Sequence, residues 1–316
     1  MKVNIDRMKT KIRIGTRSSA LSVAQTKLVA EAMKQKFPQV EIEIICRKTV
    51  GDKILDKPLL AFGGKGVFVS EFEEALLAED IDFAVHSAKD LPLELAEGLE
   101  IVGAFARGDV RDVLVTMKGE EIHRVRRIGT SSLRRKVQLE DMAAAGQLRK
   151  EVVVESLRGN VLSRLKRLEE GRYDGIVLAA AGLERLGLLD ERDGNYEFHY
   201  FTAQEMIPAG GQGILVIEGR KGEEINRIAE AVSDPGAMRQ FLTEREVLHR
   251  LNAGCHAPVG VYCERLEDGR KGRLSGIYEK DGKRRRAVLT FIMDGEDEEA
   301  AKRAAKDLAN QLLGGE

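Results

Sequence analysis

Twice in this chain a short apolar run reaches a glycine, turns through hydroxyl-bearing residues and becomes helical. Ile12-Arg13-Ile14-Gly15-Thr16 leads through Arg17-Ser18-Ser19 into a helical pattern with Leu21, Ala24, Leu28, Ala32 and Met33 on one face. Arg127-Ile128-Gly129 leads through Thr130-Ser131-Ser132 into a helix carrying Leu133, Val137 and Leu139. Further strands are predicted at 40–48, 81–86, 100–105, 112–116, 152–154 and 175–180, with a helix beginning near Ser70 as its cap and others holding Leu165, Leu168, Leu183 and Leu186. Strand and helix alternating at this spacing predict α/β layers with mixed, largely parallel sheets. The last third reads differently. Helical patterns at 223–232 and 236–251 precede three strands, 258–264, 272–279 and 285–293, joined by short turns such as Glu267-Asp268-Gly269, and a helix at 296–313 closes the chain. That order predicts a small α+β domain with a three-stranded antiparallel sheet.

A chain of 316 residues is too long for one small core. The formal net charge of −1 provides no global field to attract nucleic acid, so any anion site must come from local clustering. No stretch approaches the roughly 20 apolar residues of a membrane span. The first eleven residues are charged and lack an apolar core, and the three cysteines, Cys46, Cys255 and Cys263, then read as reduced thiols of a cytoplasmic protein. Cys255 and Cys263 lack CxxC spacing and the five histidines are scattered, so no metal site is expected.

Chemistry concentrates where strands end. Ile81, Phe83 and Val85 alternate as a strand, and then His86, Ser87, Lys89 and Asp90 arrive together before Pro92. Open α/β sheets place ligands at such carboxyl ends. Arginines fall at similar places: Arg17 in the first turn, Arg134 and Arg135 after Ser132, Arg158 in the Gly-Asn turn and Arg164 one helical turn later. Between Ile122 and Val137 there are five arginines, one lysine and no acid. Guanidinium forks match carboxylates at two points, and helix starts add free N–H groups. Cations in a helix's first turn oppose its dipole, which favours a ligand over a solvated face for Arg134 and Arg135. Gly63-Gly64-Lys65-Gly66 lacks the spacing of a Walker loop, and Gly210-Gly211-Gln212-Gly213 precedes a strand-like run where a dinucleotide fingerprint would open a helix. Cys255 lies in a Gly- and Pro-bounded loop beside His256, and reads equally as inert or reactive.

Gly15-Thr16-Arg17 with Ser19, Leu21 and Gln25 resembles the opening signature of the porphobilinogen deaminase (hydroxymethylbilane synthase) family. So do Gly51-Asp52, the Gly63–Gly66 run, His86-Ser87-Ala88-Lys89-Asp90, Gly129-Thr130-Ser131-Ser132-Leu133-Arg134-Arg135, Leu157-Arg158-Gly159-Asn160, Pro208-Ala209 with Gln212-Gly213, and Gly254-Cys255 with Pro258. The matches keep the family's order across residues 12 to 260.

The resemblance implies a cytoplasmic transferase of haem and tetrapyrrole biosynthesis that joins four porphobilinogen molecules head to tail and releases ammonia at each step. It implies a dipyrromethane cofactor on Cys255 through a thioether, and Asp90 as the catalytic carboxylate. Cofactor contacts would come from Lys89, Thr130, Ser132, Arg134, Arg135 and Arg158. Substrate contacts would come from Arg17, Ser19, Gln25, Arg164, Arg185 and Gln212. It implies two periplasmic-binding-protein-like domains, 10–105 with 206–222 and 106–205, and a cysteine-bearing domain at 223–316. A monomer without nucleic-acid or membrane partners is expected. The glycine-rich stretch 50–66 is expected to act as a lid. A non-catalytic anion-binding protein would use the arginines without Asp90 or Cys255, and a cysteine hydrolase would need a histidine brought to Cys255 by the fold.

Overall fold

The computed structural model describes residues 11–47, 69–189, 194–254, 257–266, 270–293 and 298–315. The stretch 50–66, the turn at 267–269, Cys255 and His256 lie outside the described residues. The chain divides into two compact units, Met1–Gly108 with Ile214–Phe241, and Asp109–Gly213 with Leu242–Glu316.

The first unit is built on a five-stranded sheet. Its strands are β1 (Lys11–Arg17), β2 (Glu41–Arg47), β3 (Phe83–Ser87), β4 (Leu99–Phe105) and, returning late in the chain, β10 (Leu215–Arg220). The order is β2-β1-β3-β10-β4. β1 pairs in parallel with β2 and β3, whereas β10 lies antiparallel between β3 and β4. Helix α1 (Ala20–Lys36) covers one face, α2 (Ser70–Leu77) packs against β3, and α6 (Asn226–Val232) lies beside α1. Ile12, Ile14, Val29, Met33, Phe83, Val85, Leu215 and Ile217 form a continuous core. The buried stripe of α1 is Gln25, Thr26, Val29, Ala30 and Met33. The expected face is displaced by one position: Leu28 is exposed, whereas Thr26 and Ala30 are buried. Ser70 is the first helical residue rather than a cap; Val69 holds the cap position without a side-chain hydrogen bond.

In the second unit the strands are β5 (Asp112–Met117), β6 (Arg127–Gly129), β7 (Val153–Glu155), β8 (Gly175–Ala179) and β9 (Tyr196–Tyr200), in the order β7-β6-β8-β5-β9. β6 is parallel to β7 and β8, and β5 is antiparallel to β8 and β9. Helix α3 (Leu133–Ala144) packs Leu139 and Met142 on Leu114, Ile128 and Val177. On the other face α4 (Val161–Glu169) and α5 (Ala180–Arg185) bring Leu165, Leu168 and Leu183 onto Val113, Val115 and Ile176.

The same unit includes α7 (Pro235–Leu251), of which Leu242 onward belongs here, and the antiparallel sheet β11 (Val259–Arg265), β12 (Lys271–Lys280) and β13 (Lys283–Ile292), covered by α8 (Glu298–Leu313). Leu274, Tyr278, Leu308 and Leu312 lie in its core. Arg284 fastens this small sheet to α3 through Glu140, Asp141 and the Val137 carbonyl.

Candidate active site

In the first unit, β3 is buried from Phe83 to Val85 and becomes polar at His86. Its register against β10 continues to Ser87 opposite Leu215, and the Ala88 N–H donates to the Ile214 carbonyl at 3.0 Å. One 3-10 turn, Ala88–Asp90, follows, with Leu91 buried behind it. The turn leaves Asp90 exposed and Lys89 half-buried. Among the described residues no hydrogen bond or ion pair engages the Asp90 carboxylate. The strand end beneath it is tied down. His86 Nε2 lies 2.9 Å from Glu218 Oε2, and Glu218, on β10, is fully buried. Gln25 Nε2 donates to Ser87 Oγ at 3.1 Å. Gln25, expected to reach substrate, is thus buried and spends its amide on the strand that carries Asp90. Glu73 belongs to the same cluster, its carboxyl held above the usual range chiefly by burial and further by Glu218. Ser19 caps α1 through the Ser22 N–H, and Arg17 ends β1 half-buried.

The second unit brings together more of the expected residues. Thr130 Oγ1 accepts from the Ser132 N–H, and Ser132 caps α3 by accepting from the Arg135 N–H. Asn160 caps α4 through the Ser163 N–H, which the preceding Gly159 permits with φ of +108°. Arg158 and Arg164 flank that turn, each half-buried. Arg164 Nε donates to the Gly159 carbonyl at 2.7 Å.

Arg134 and Arg135 are not exposed helix-start residues. Both are buried, and both meet Asp112, the first residue of β5, which is itself fully buried. Arg134 Nη1 donates to Asp112 Oδ2 at 2.7 Å and to the Ile207 carbonyl at 2.8 Å. Arg135 donates Nε and Nη2 to Asp112 Oδ1 at 2.9 and 2.7 Å, and Nη1 to the Val177 carbonyl. An acidic partner therefore answers the dipole objection raised by two cations in the first turn. Yet Arg134 is only half committed: among the described residues its Nε and Nη2 have no acceptor. That edge carries two parallel N–H groups, the arrangement a carboxylate takes in two-point pairing.

Gln212, expected to touch substrate, is fully buried, donating to the Val110 carbonyl at 2.7 Å and to Asp112 Oδ1 at 3.2 Å. Arg185 Nη2 donates to the Gly213 carbonyl, and burial pushes its guanidinium pKa down. Cys255 lies outside the described residues. Asp112 and Glu218 were not foreseen; each is far in sequence from the group it bonds.

An α/β protein with a carboxylate at a strand end, and arginines at several helix-start turns, suits an enzyme acting on a polycarboxylated substrate. Similarity to known proteins narrows this. The family described as "Porphobilinogen deaminase, dipyromethane cofactor binding domain" matches residues 12–227, and "Porphobilinogen deaminase, C-terminal domain" matches 238–314. The porphobilinogen deaminase of Acetivibrio thermocellus is 42% identical over 275 residues, covering 86% of this chain and 89% of that protein. That of Syntrophus aciditrophicus is 40% identical over 310 residues, covering 96% and 95%. Among solved structures, the alkanesulfonate-binding protein SsuA of Xanthomonas axonopodis pv. citri overlaps 76% of this chain and 74% of that one, at 17% identity and a TM-score of 0.35. The chain belongs to the porphobilinogen deaminase family, whose members are transferases with a dipyrromethane cofactor-binding domain.

The residues present suit that cofactor. Two linked pyrroles with acetate and propionate arms carry four carboxylates. Such a group calls for several fixed cations, at least one with an open two-point edge. Arg134 offers that edge, and Arg158, Arg164 and Arg185 lie on helix-start or helix-end turns of the same unit.

Proposed function

We propose that this chain condenses porphobilinogen head to tail into hydroxymethylbilane, releasing ammonia at each step, with Asp90 as the catalytic carboxylate. The observation that carries the reading is Asp90 itself, an exposed carboxylate with no partner among the described residues, on a short turn whose backbone is anchored to Ile214, the residue before β10. Loss of ammonia from the aminomethyl arm leaves a cation delocalised over the pyrrole. A fixed negative charge beside the ring N–H stabilises that cation as it forms, which is preorganised electrostatic catalysis. Lys89, next to Asp90, supplies a positive charge for an arm carboxylate.

Arg134, Arg135 and Arg158, with Thr130 and Ser132 at the α3 start, would hold the dipyrromethane, and Cys255 would bear it through a thioether. When bound, the dipyrromethane supplies the free ring carbon to which the first substrate is added. Arg17, Ser19, Arg164 and Arg185 would engage the arms of incoming substrate. Gln25 and Gln212 act in this reading by bracing Ser87 and Asp112. The division into domains at 10–105 with 206–222, 106–205 and 223–316 goes with it. So does a monomer working in the cytoplasm. Among the described residues no helix is long and apolar enough to cross a membrane.

The test is mass. The purified chain should exceed its sequence mass by two linked pyrrole units, and digestion should place the excess on the peptide containing Cys255. An unmodified Cys255 in fully active protein overturns the assignment.

A further inference from the structure

We propose that Asp112 is a positioning residue for the cofactor. It holds the Arg134 guanidinium by one end and so aims the Nε–Nη2 edge at a ligand carboxylate. This rests on the reading that Arg134 helps hold the dipyrromethane.

The geometry is specific. Asp112 opens β5, where its backbone is paired to Ala179 of β8 and its carbonyl accepts the Phe201 N–H, so the carboxylate is fixed by the sheet. Its two oxygens divide the work. Oδ2 takes Arg134 Nη1; Oδ1 takes both Arg135 Nε and Nη2, and also Gln212 Nε2. Arg135 therefore presents its two-point edge to Asp112, whereas Arg134 presents only one terminal nitrogen. Two acceptors pin that nitrogen, Asp112 and the Ile207 carbonyl. The Ile207 carbonyl is fixed in turn: Gln138 Nε2 also donates to it, and the Ile207 N–H donates to Gln138 Oε1. A planar guanidinium held through Nη1 by two rigid acceptors has little freedom to rotate, which sets the direction of its opposite edge.

A purely structural role would need no such asymmetry. A buried ion cluster is a poor source of net stability, because desolvation offsets much of its attraction. Its stronger use is to fix geometry, and here the geometry fixed is that of a donor edge with no acceptor among the described residues.

The experiment uses the full chain. Asp112→Asn, Arg134→Leu, the double variant and Gln212→Met are purified, and intact mass gives the fraction carrying the two-pyrrole addition. The remaining unmodified chain is then incubated with porphobilinogen, and the rate at which it gains that mass is followed alongside the thermal midpoint. Misaiming a binding group by about an ångström costs on the order of a hundredfold, so Asp112→Asn should take up the cofactor roughly ten- to a hundredfold more slowly per folded molecule. In the Arg134→Leu background, Asp112→Asn should slow uptake by a smaller factor than it does in the parent, because the part of its effect that runs through Arg134 is already lost, while its contact with Arg135 remains to be disturbed. Gln212→Met, a milder loosening of the same carboxylate, should fall between Asp112→Asn and the parent, and it decides the matter if Asp112→Asn does not fold. Parent-like uptake by folded Asp112→Asn, or by Gln212→Met where that variant decides, overturns the proposal while Arg134→Leu remains impaired. Parent-like uptake by Arg134→Leu instead overturns the underlying assignment of Arg134.

Discussion

Replacing Asp90 by Asn separates an enzyme from an anion-binding protein, and the structure sets the size of both effects. The substitution keeps the shape of the side chain and removes its charge. Asp90 is exposed, and among the described residues its carboxylate has no ion pair to lose. Substitutions at such positions change stability by no more than about 0.5 kcal/mol. For a chain built of units this size, that is a shift of about 1–2 °C in thermal midpoint. The backbone should not move either, since the Ala88 N–H is bonded to Ile214 and Leu91 is buried behind the turn. The rate is a different matter. Removing a fixed electrostatic stabiliser costs about 10²–10³ in turnover, or ~2.7–4 kcal/mol of barrier. The assay is porphobilinogen consumption per cofactor-loaded molecule, with loading checked by intact mass and folding by the thermal midpoint. Asp90→Glu keeps the charge but moves it by one methylene, and should retain an intermediate rate. A folded, loaded Asp90→Asn protein turning over near the parent rate would remove Asp90 from the mechanism. A fall of many degrees in midpoint with the rate intact would make it a structural ion-pair partner.

Three further outcomes follow from particular contacts. Glu73→Gln should stabilise the protein more at pH 7 than at pH 4: the folded carboxyl titrates above its ordinary value, so the parent loses stability as pH rises from the unfolded value through the folded one, and the amide does not. Thermal melts at the two pH values check this, and an equal or larger benefit at pH 4 contradicts it. Gly260→Ala should cost about 1–3 kcal/mol, because its Cβ would sit 2.8 Å from the Ile207 carbonyl and 3.0 Å from that of Pro208, both already held by hydrogen bonds; urea unfolding measures it. Arg172→Leu should leave activity and cofactor loading at parent values, since Arg172 is exposed and its side chain pairs, among the described residues, with Glu170 at 2.9 Å, and a loss in either would show that charge anywhere on the unit matters.

What could be read from the sequence was local. Ser19, Ser132 and Asn160 cap helices because their side chains reach an N–H three residues on, a relation contained within one turn of chain. The polar exit of β3 was legible for the same reason. Strand β9 was missed although Tyr196, Phe198 and Tyr200 alternate; it is an edge strand with no fully buried residue, so its apolar signal is diluted by Glu197 and His199. The arginines were found as a cluster, but not their burial. Nothing in Arg-Asp-Val-Leu-Val shows that Asp112 will meet guanidiniums more than twenty positions later.

The unread contacts share a topological cause. In each five-stranded sheet, parallel strands follow one another through helices, and that grammar is visible in sequence. The antiparallel strand in each sheet, β10 in one and β5 in the other, pairs with strands remote from it in sequence, β3 and β4 for β10 and β8 and β9 for β5, and no local pattern announces these neighbours. Each of these strands supplies a fully buried acid: Glu218 lies against His86, and Asp112 lies against Arg134 and Arg135. A buried carboxylate costs several kcal/mol to desolvate, and it persists where it is hydrogen-bonded and where it fixes a direction. Both acids sit beneath groups at the ends of parallel strands, where α/β sheets bind ligands. On the proposed reading, the local motifs contribute the groups that would meet substrate, and the antiparallel strands β10 and β5 contribute the carboxylates that hold those groups still. Substitution of these two buried acids should therefore resemble substitution of the site, although neither acid is exposed to touch a ligand.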